Sequence, residues 1–152
     1  MNPKFLKLTT RLEEKFRALK SMRSFVAENV PNDTPKGGIY LFSENGVPLY
    51  AGRTKRKIGT RIRGHFSTAN DCPFAWRLAR EKTGCLATYS SKGSRKDLLS
   101  KPSFRRAYEK AKQRIRKMDV RFVEEADPLR QALLEIYVAV AVGAKHNDFD
   151  TH

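Results

Sequence analysis

The sequence predicts an α+β fold: a small three-stranded antiparallel sheet flanked by helices. Three observations carry this expectation. Two strand-like runs, "GIYLFS" at 38–43 and "VPLYAGR" at 47–53, are joined through Asn45-Gly46, the strongest short hairpin signal. A third run, "MDVRFVEE" at 118–125, alternates apolar and polar residues, as a strand with one buried face does. The stretches before, between and after these runs carry helical periodicity and helix-capping residues.

Taken in order, Asn2-Pro3 opens a helix with proline at the first helical position. Phe5, Leu8, Leu12, Phe16, Leu19 and Val26 then fit one face of a helix running to about residue 29. "NVPNDTPKGG" breaks it, and the hairpin follows. Pro48 argues that the second hairpin strand lies at a sheet edge, because proline has no N–H to donate to a neighbour. Residues 58–69 and 73–83 read as two helices, the second closed by Gly84. "YSSKGSRKDLLSKPS" is a polar loop with few apolar anchors, so the segment from about 85 to 101 is expected to be mobile. A basic helix spans roughly 103–117. Asp127-Pro128 starts a last helix, "LRQALLEIYVAVAVGA", which stops near Gly143.

A length of 152 residues suits one domain, 1–152, with a real core. With 39% hydrophobic and 31% charged residues, the chain falls outside the disordered class. The net charge of +15 points to a polyanionic partner, nucleic acid before an anionic membrane. The basic residues do not follow one amphipathic helix, which argues against a membrane surface. There is no signal-peptide core and no apolar run of about 18 residues, so a cytoplasmic protein is expected. Cys72 and Cys85 are too few for a disulfide scaffold. His65, His146 and His152 are too scattered to complete a zinc site, so both thiols are expected reduced and packed.

The basic residues fall in two stretches. "RTKRKIGTRIR" at 53–63 has six Lys or Arg in eleven residues and no acid; 92–117 adds eleven against two acidic residues. Most such side chains form a solvated face, and phosphate contacts come from such faces. The candidate contacts are Lys55, Arg56, Lys57, Arg63, Lys92, Arg95, Lys96, Arg105 and Arg106. No recognition helix stands out.

Glu135 lies in a helix that is apolar on nearly every side. A carboxylate there is costly unless it pairs with an arginine or binds a metal, and both remain open from the helix alone. The positive charge of the chain is expected to keep it ionised. His65 follows Arg61 by one helical turn and shares its face. Its ordinary role would be packing or hydrogen bonding. Tyr40 and Tyr50 are strand tyrosines, ordinarily core residues with satisfied hydroxyls. Beside Arg53 and Arg61 their pKa values are expected to fall, which would suit proton transfer at a phosphate.

Together these residues resemble the GIY-YIG nuclease family. Gly38-Ile39-Tyr40 matches the first signature triplet. Tyr50-Ala51-Gly52 matches the second, with Ala where the family usually has Ile. Arg53 matches the basic residue just after it, and Arg61 the arginine on the following helix. His65 matches a histidine that some restriction-enzyme members carry one turn later. Glu135 matches the metal-binding glutamate in an apolar helix, and Asn147 an asparagine about a dozen residues beyond it. The ordered match covers residues 37–147. About seventy residues separate Arg61 from Glu135, which implies a basic helical insertion at roughly 70–117. Residues 1–30 would be an N-terminal helical extension.

The resemblance implies hydrolysis of DNA phosphodiester bonds with one divalent metal, Mg²⁺ or Mn²⁺, held by Glu135. Tyr40 would take the proton from the attacking water, with Tyr50 or His65 orienting it. Arg61 would offset charge on the phosphoryl oxygens. Asn147 would position Glu135, the substrate or the chain terminus. The competing expectation is a basic nucleic-acid-binding module on the same fold with catalysis lost. The full motif set favours the enzyme, because a pure binder has no need of Glu135. Symmetric double-strand cuts would require a homodimer or two visits.

Overall fold

The computed structural model describes residues 1–85 and 91–149. In chain order the elements are α1 (Pro3–Thr9), α2 (Leu12–Ser21), β1 (Phe25–Val26), a 3₁₀ turn (Ala27–Asn29), β2 (Lys36–Glu44), β3 (Val47–Lys57), α3 (Ile58–Gly64), α4 (Pro73–Thr83), α5 (Arg95–Leu99), α6 (Pro102–Arg116), β4 (Asp119–Glu124) and α7 (Pro128–Val142). The fold is α+β, and its antiparallel sheet has four strands in the order β1-β4-β2-β3.

The three expected strands are present, and the fourth corrects the expectation. Phe25 and Val26 leave the predicted N-terminal helix and pair with Val120 and Asp119 of β4. That helix is also broken earlier. Asn2 caps α1 as expected, its side chain accepting from the Lys4 and Phe5 N–H groups. The Thr9 and Thr10 hydroxyls then donate to carbonyls one turn back, at Leu6 and Lys7. Such bonds compete with the helix ladder, and the chain restarts at Leu12.

β2 is buried on both faces. Tyr40 and Phe42 point into a core shared with α3, α4 and α6, while Ile39 and Leu41 meet α2 and α7. β3 lies at the sheet edge, as Pro48 predicts.

The helix expected over 58–69 stops at Gly64. Side chains from the insertion take the carbonyls beyond it. Lys112 Nζ donates to Ser67 and Ala69, the Tyr108 hydroxyl donates to Ala69, and the Trp76 indole N–H donates to Asn70. The insertion is packed, not appended: Phe74, Trp76, Phe104 and Tyr108 are all buried in the Tyr40-side core.

The polar loop expected over 85–101 holds a short helix in its described part. Ser94 caps α5 by accepting from the Asp97 N–H, Gly93 N–H donates to Asp97 at 2.8 Å, and Leu98 is buried in the core. Residues 86–90 of that expectation lie outside the described residues. α7 begins and ends as expected: Asp127 caps it and Gly143 closes it in the left-handed conformation. Among the described residues, no helix is long and apolar enough to cross a membrane.

Tyr40 and Gly52 face each other across β2 and β3. A Cβ added at Gly52 would fall among the Tyr40 ring atoms. At Gly64, on α3, an added Cβ meets nothing within 4 Å. Gly52→Ala is therefore expected to destabilise the protein by roughly 1–3 kcal/mol or more through overpacking. Gly64→Ala is expected to be neutral or stabilising by up to about 1 kcal/mol. Chemical denaturation of both variants checks this, and equal midpoints would contradict it.

Candidate active site

Four elements bring the candidate residues to the middle of the edge strand. β2 supplies Tyr40, β3 supplies Tyr50 and Arg53, α3 supplies Arg61 and ends at His65, and α7 supplies Glu135. The Tyr40 hydroxyl lies 2.7 Å from His65 Nε2, and both residues are buried, at 1% and 0% exposure. Burial first, and Arg61 second, push the His65 imidazole down to about 3, so the ring is neutral. The Arg61 charge also acts on Tyr40. The imidazole tautomer sets which partner donates in the Tyr40–His65 contact. His65 Nδ1 is buried with no hydrogen-bond partner among the described residues.

The tyrosine pKa values move opposite to the expectation. Burial raises Tyr40 far above the usual phenol range, Tyr50 adds to the rise, and Arg61 recovers only part of it. Tyr50 is raised by burial and then by Glu135, against Arg61 and Arg77. Desolvation of the phenolate outweighs the nearby cations.

Glu135 makes the ion pair that its helix left open: Arg53 Nε stands 3.0 Å from Oε2. The side chains are 24% and 48% exposed respectively, so the pair sits on a surface and not in the core. Burial raises the Glu135 carboxyl above the usual carboxylate range, and Arg53 partly opposes this.

Of the tasks expected for Asn147, its contacts fit the positioning of the chain's C-terminal segment. Its Oδ1 accepts from the Ala51 N–H and its Nδ2 donates to the Ala51 carbonyl, each at 2.8 Å. The His146 N–H donates to the Leu49 carbonyl at 2.8 Å. The segment after α7 thus serves as a partner for the outer rim of β3, and the side-chain amide imitates a neighbouring strand.

Tyr50, Glu135, His146 and Asn147 line a cleft of about 510 Å³. Tyr40 and His65 lie behind it. The same cleft is lined by Trp76, Arg77 and Arg80 of α4 together with Arg95. Sequence reasoning missed Arg77 and Arg80. Their only signal was a three-residue spacing on the helix that also holds Trp76, outside the two dense basic stretches.

The remaining basic candidates separate into two groups. Lys55, Arg56 and Lys57 are exposed at the far end of β3, where Lys57 opposes Lys36 across the hairpin. Lys92, Arg95, Lys96, Arg105 and Arg106 are exposed on the insertion. Arg105 Nε also donates to the Leu99 carbonyl. Arg63 instead turns inward and donates to the Val30 carbonyl at 2.9 Å. In the 92–117 stretch, Lys112 is buried, Arg114 pairs with Glu44, and Arg116 and Lys117 pair with Glu28.

No group of three or more His, Cys, Asp or Glu able to hold a metal occurs among the described residues. A hard divalent ion such as Mg²⁺ needs only one or two carboxylates when water and phosphate oxygens complete its shell. Glu135 on the cleft wall, beside the Tyr50 hydroxyl, fits that donor chemistry, and the half-exposed Arg53 has room to turn away. No family model, curated protein or solved structure matches the chain.

Two predictions follow from the site geometry. Between about pH 3 and the unfolded histidine value near 6.5, the unfolded chain binds a proton that folded His65 refuses. Stability therefore falls as pH drops through that window. His146, also lowered by burial, acts with the same sign. Melting temperature measured from pH 7 to pH 4 should decrease, and His65→Gln should flatten the slope without removing it; an unchanged slope would refute the neutral assignment. Separately, Asn147→Ala removes two bonds to Ala51 and should cost about 1–3 kcal/mol. Amide hydrogen exchange at Ala51 should accelerate in that variant, whereas unaltered protection there would refute the clamp.

Proposed function

We propose that the protein is a divalent-metal-dependent endonuclease of the GIY-YIG type that hydrolyses phosphodiester bonds in DNA. One observation carries this reading. Tyr40, Tyr50, Arg61, His65 and Glu135, spread over almost a hundred residues, interact around one strand edge beside an open cleft. A module that only binds nucleic acid gains from cations, but a carboxylate facing a phosphate weakens its binding.

Mg²⁺ bound at Glu135 would polarise the phosphoryl oxygens and stabilise the leaving oxygen. The side chains divide the remaining work. Tyr50 is the hydroxyl on the cleft wall, so it orients the attacking water or the phosphate. Tyr40 is buried, and its hydroxyl is hydrogen-bonded to His65 Nε2, so neutral His65 orients it. The charge of a bound metal would lower the pKa of the Tyr40 phenol, and Tyr40 would then take the proton from the attacking water. Arg61 beside Tyr40 offsets negative charge as it develops. Arg53 holds the Glu135 carboxylate in place until the metal and substrate arrive. The exposed cations at the end of β3 and on the insertion supply phosphate contacts, so DNA binding depends strongly on salt.

The test uses supercoiled plasmid with Mg²⁺ and with EDTA. Wild-type protein should nick the plasmid only with Mg²⁺. Glu135→Gln should abolish nicking while retaining DNA binding and melting close to wild type. Tyr40→Phe should lower cleavage by a factor on the order of 10²–10⁴ while keeping the fold. A wild type that binds DNA but never nicks it would favour the binding-module reading; full activity in Glu135→Gln would remove the assigned role.

A further inference from the structure

The arginines that line the cleft with Glu135 and Tyr50 take no part in the chemistry above. Arg77 and Arg80 lie three residues apart on α4, and Arg95 comes from α5. The guanidinium groups of Arg80 and Arg95 stand 5.6 and 5.2 Å from the centroid of the same buried ring, Trp76. Like charges are therefore crowded on one aromatic. Burial and then Arg95 lower the Arg80 guanidinium below its ordinary value. Arg80 is held there by the Cys85 and Gly93 carbonyls, at 3.3 and 3.5 Å. Arg77 has a buried Nε with no hydrogen-bond partner among the described residues. Its Nη1 meets the Asp148 carboxylate at 3.6 Å, a long contact for an ion pair.

This arrangement calls for an anion. Crowded cations repel each other until negative charge stands between them. Guanidinium forks match phosphate oxygens with two parallel hydrogen bonds. The cleft, at about 510 Å³, is of small-ligand size, so it takes a few nucleotides of the strand being cut. We propose that Arg77 and Arg95, with Arg80 behind them, form an anion subsite that grips a phosphodiester of the substrate strand beside the one at Glu135. That the strand is a nuclease substrate rests on the function proposed above; the anion subsite does not. Asp148 is the resident anion that the phosphodiester displaces from Arg77.

The experiment measures fluorescence anisotropy of a short labelled DNA strand with the full-length chain in EDTA, where no cleavage occurs. Arg77→Ala and Arg95→Ala should each weaken binding roughly tenfold and reduce the salt slope by about one. Lys4→Ala removes the same charge from exposed α1 and should leave affinity within twofold. Asp148→Asn should tighten binding. Arg95 is exposed, so Arg95→Ala should melt with wild type and keep the test valid if Arg77→Ala unfolds. A strand with neutral methylphosphonate linkages should lose affinity for wild type and lose much less for Arg95→Ala. Equal affinities for wild type, Arg77→Ala and Arg95→Ala, or weaker binding by Asp148→Asn, would overturn the subsite. Absence of plasmid nicking by wild type alongside these binding effects would sink the nuclease reading and leave the subsite standing.

Discussion

The packing of the Tyr40 ring on the Gly52 backbone is the contact on which the rest of the site depends. No side chain fits between the two strands at that point, because an added Cβ would occupy the ring itself. With the ring seated there, its hydroxyl meets His65 at the end of α3, and the rings of Tyr40, Phe42 and Tyr50 all lie 5.3–5.5 Å from the His65 ring. Phe74 of α4 then stacks on Tyr50 at 4.7 Å, which joins the insertion to the hairpin. The same strand placement leaves Arg53 of β3 within reach of Glu135 on α7. The site thus straddles an edge strand, with aromatic and imidazole groups on one face and the carboxylate pair on the other.

Net charge and local electrostatics act on different scales in this protein. The charge of +15 is spread over the surface, where water and salt screen it within a Debye length of about 8 Å. Inside the aromatic cluster, loss of hydration dominates. The Tyr40 and Tyr50 hydroxyls rise and the His65 imidazole falls, each toward its neutral form. Neutrality makes the Tyr40–His65 pair stable when buried. The cations are also unequal in availability. Glu28 and Glu44 neutralise the end of α6, whereas Lys36, Lys55, Arg56 and Lys57 gather at one hairpin end. Like charges at Lys36 and Lys57 oppose each other there, a pairing that an anionic partner would relieve.

Much of the fold was legible locally. Asn45-Gly46, Pro48, Asp127-Pro128, Gly84 and Gly143 each impose a backbone constraint that acts within a few residues, and each stands where its chemistry predicts. The errors share a different cause. Val26 sat in helical register with Leu19, but Phe25 and Val26 find strand partners nearly a hundred residues away. Helix α3 could have continued past Gly64, but Lys112 and Tyr108 claim the carbonyls that follow. Leu98 looked like an isolated apolar residue in a polar loop until the core supplied neighbours.

For the site, the sequence by itself determined which residue types are present and in what order: two strand tyrosines, a run of cations, one carboxylate in an apolar helix and an asparagine beyond it. Residue type sets intrinsic chemistry, and that needs no neighbours. Only the tertiary structure decided that Tyr40 is buried against His65 and that Tyr50 faces the cleft. It also decided that Asn147 completes a strand edge and that Arg77 and Arg80 line the same cleft as Glu135. Those outcomes depend on hydration lost and on partners brought close by packing, and both arise from contacts between segments far apart in the chain.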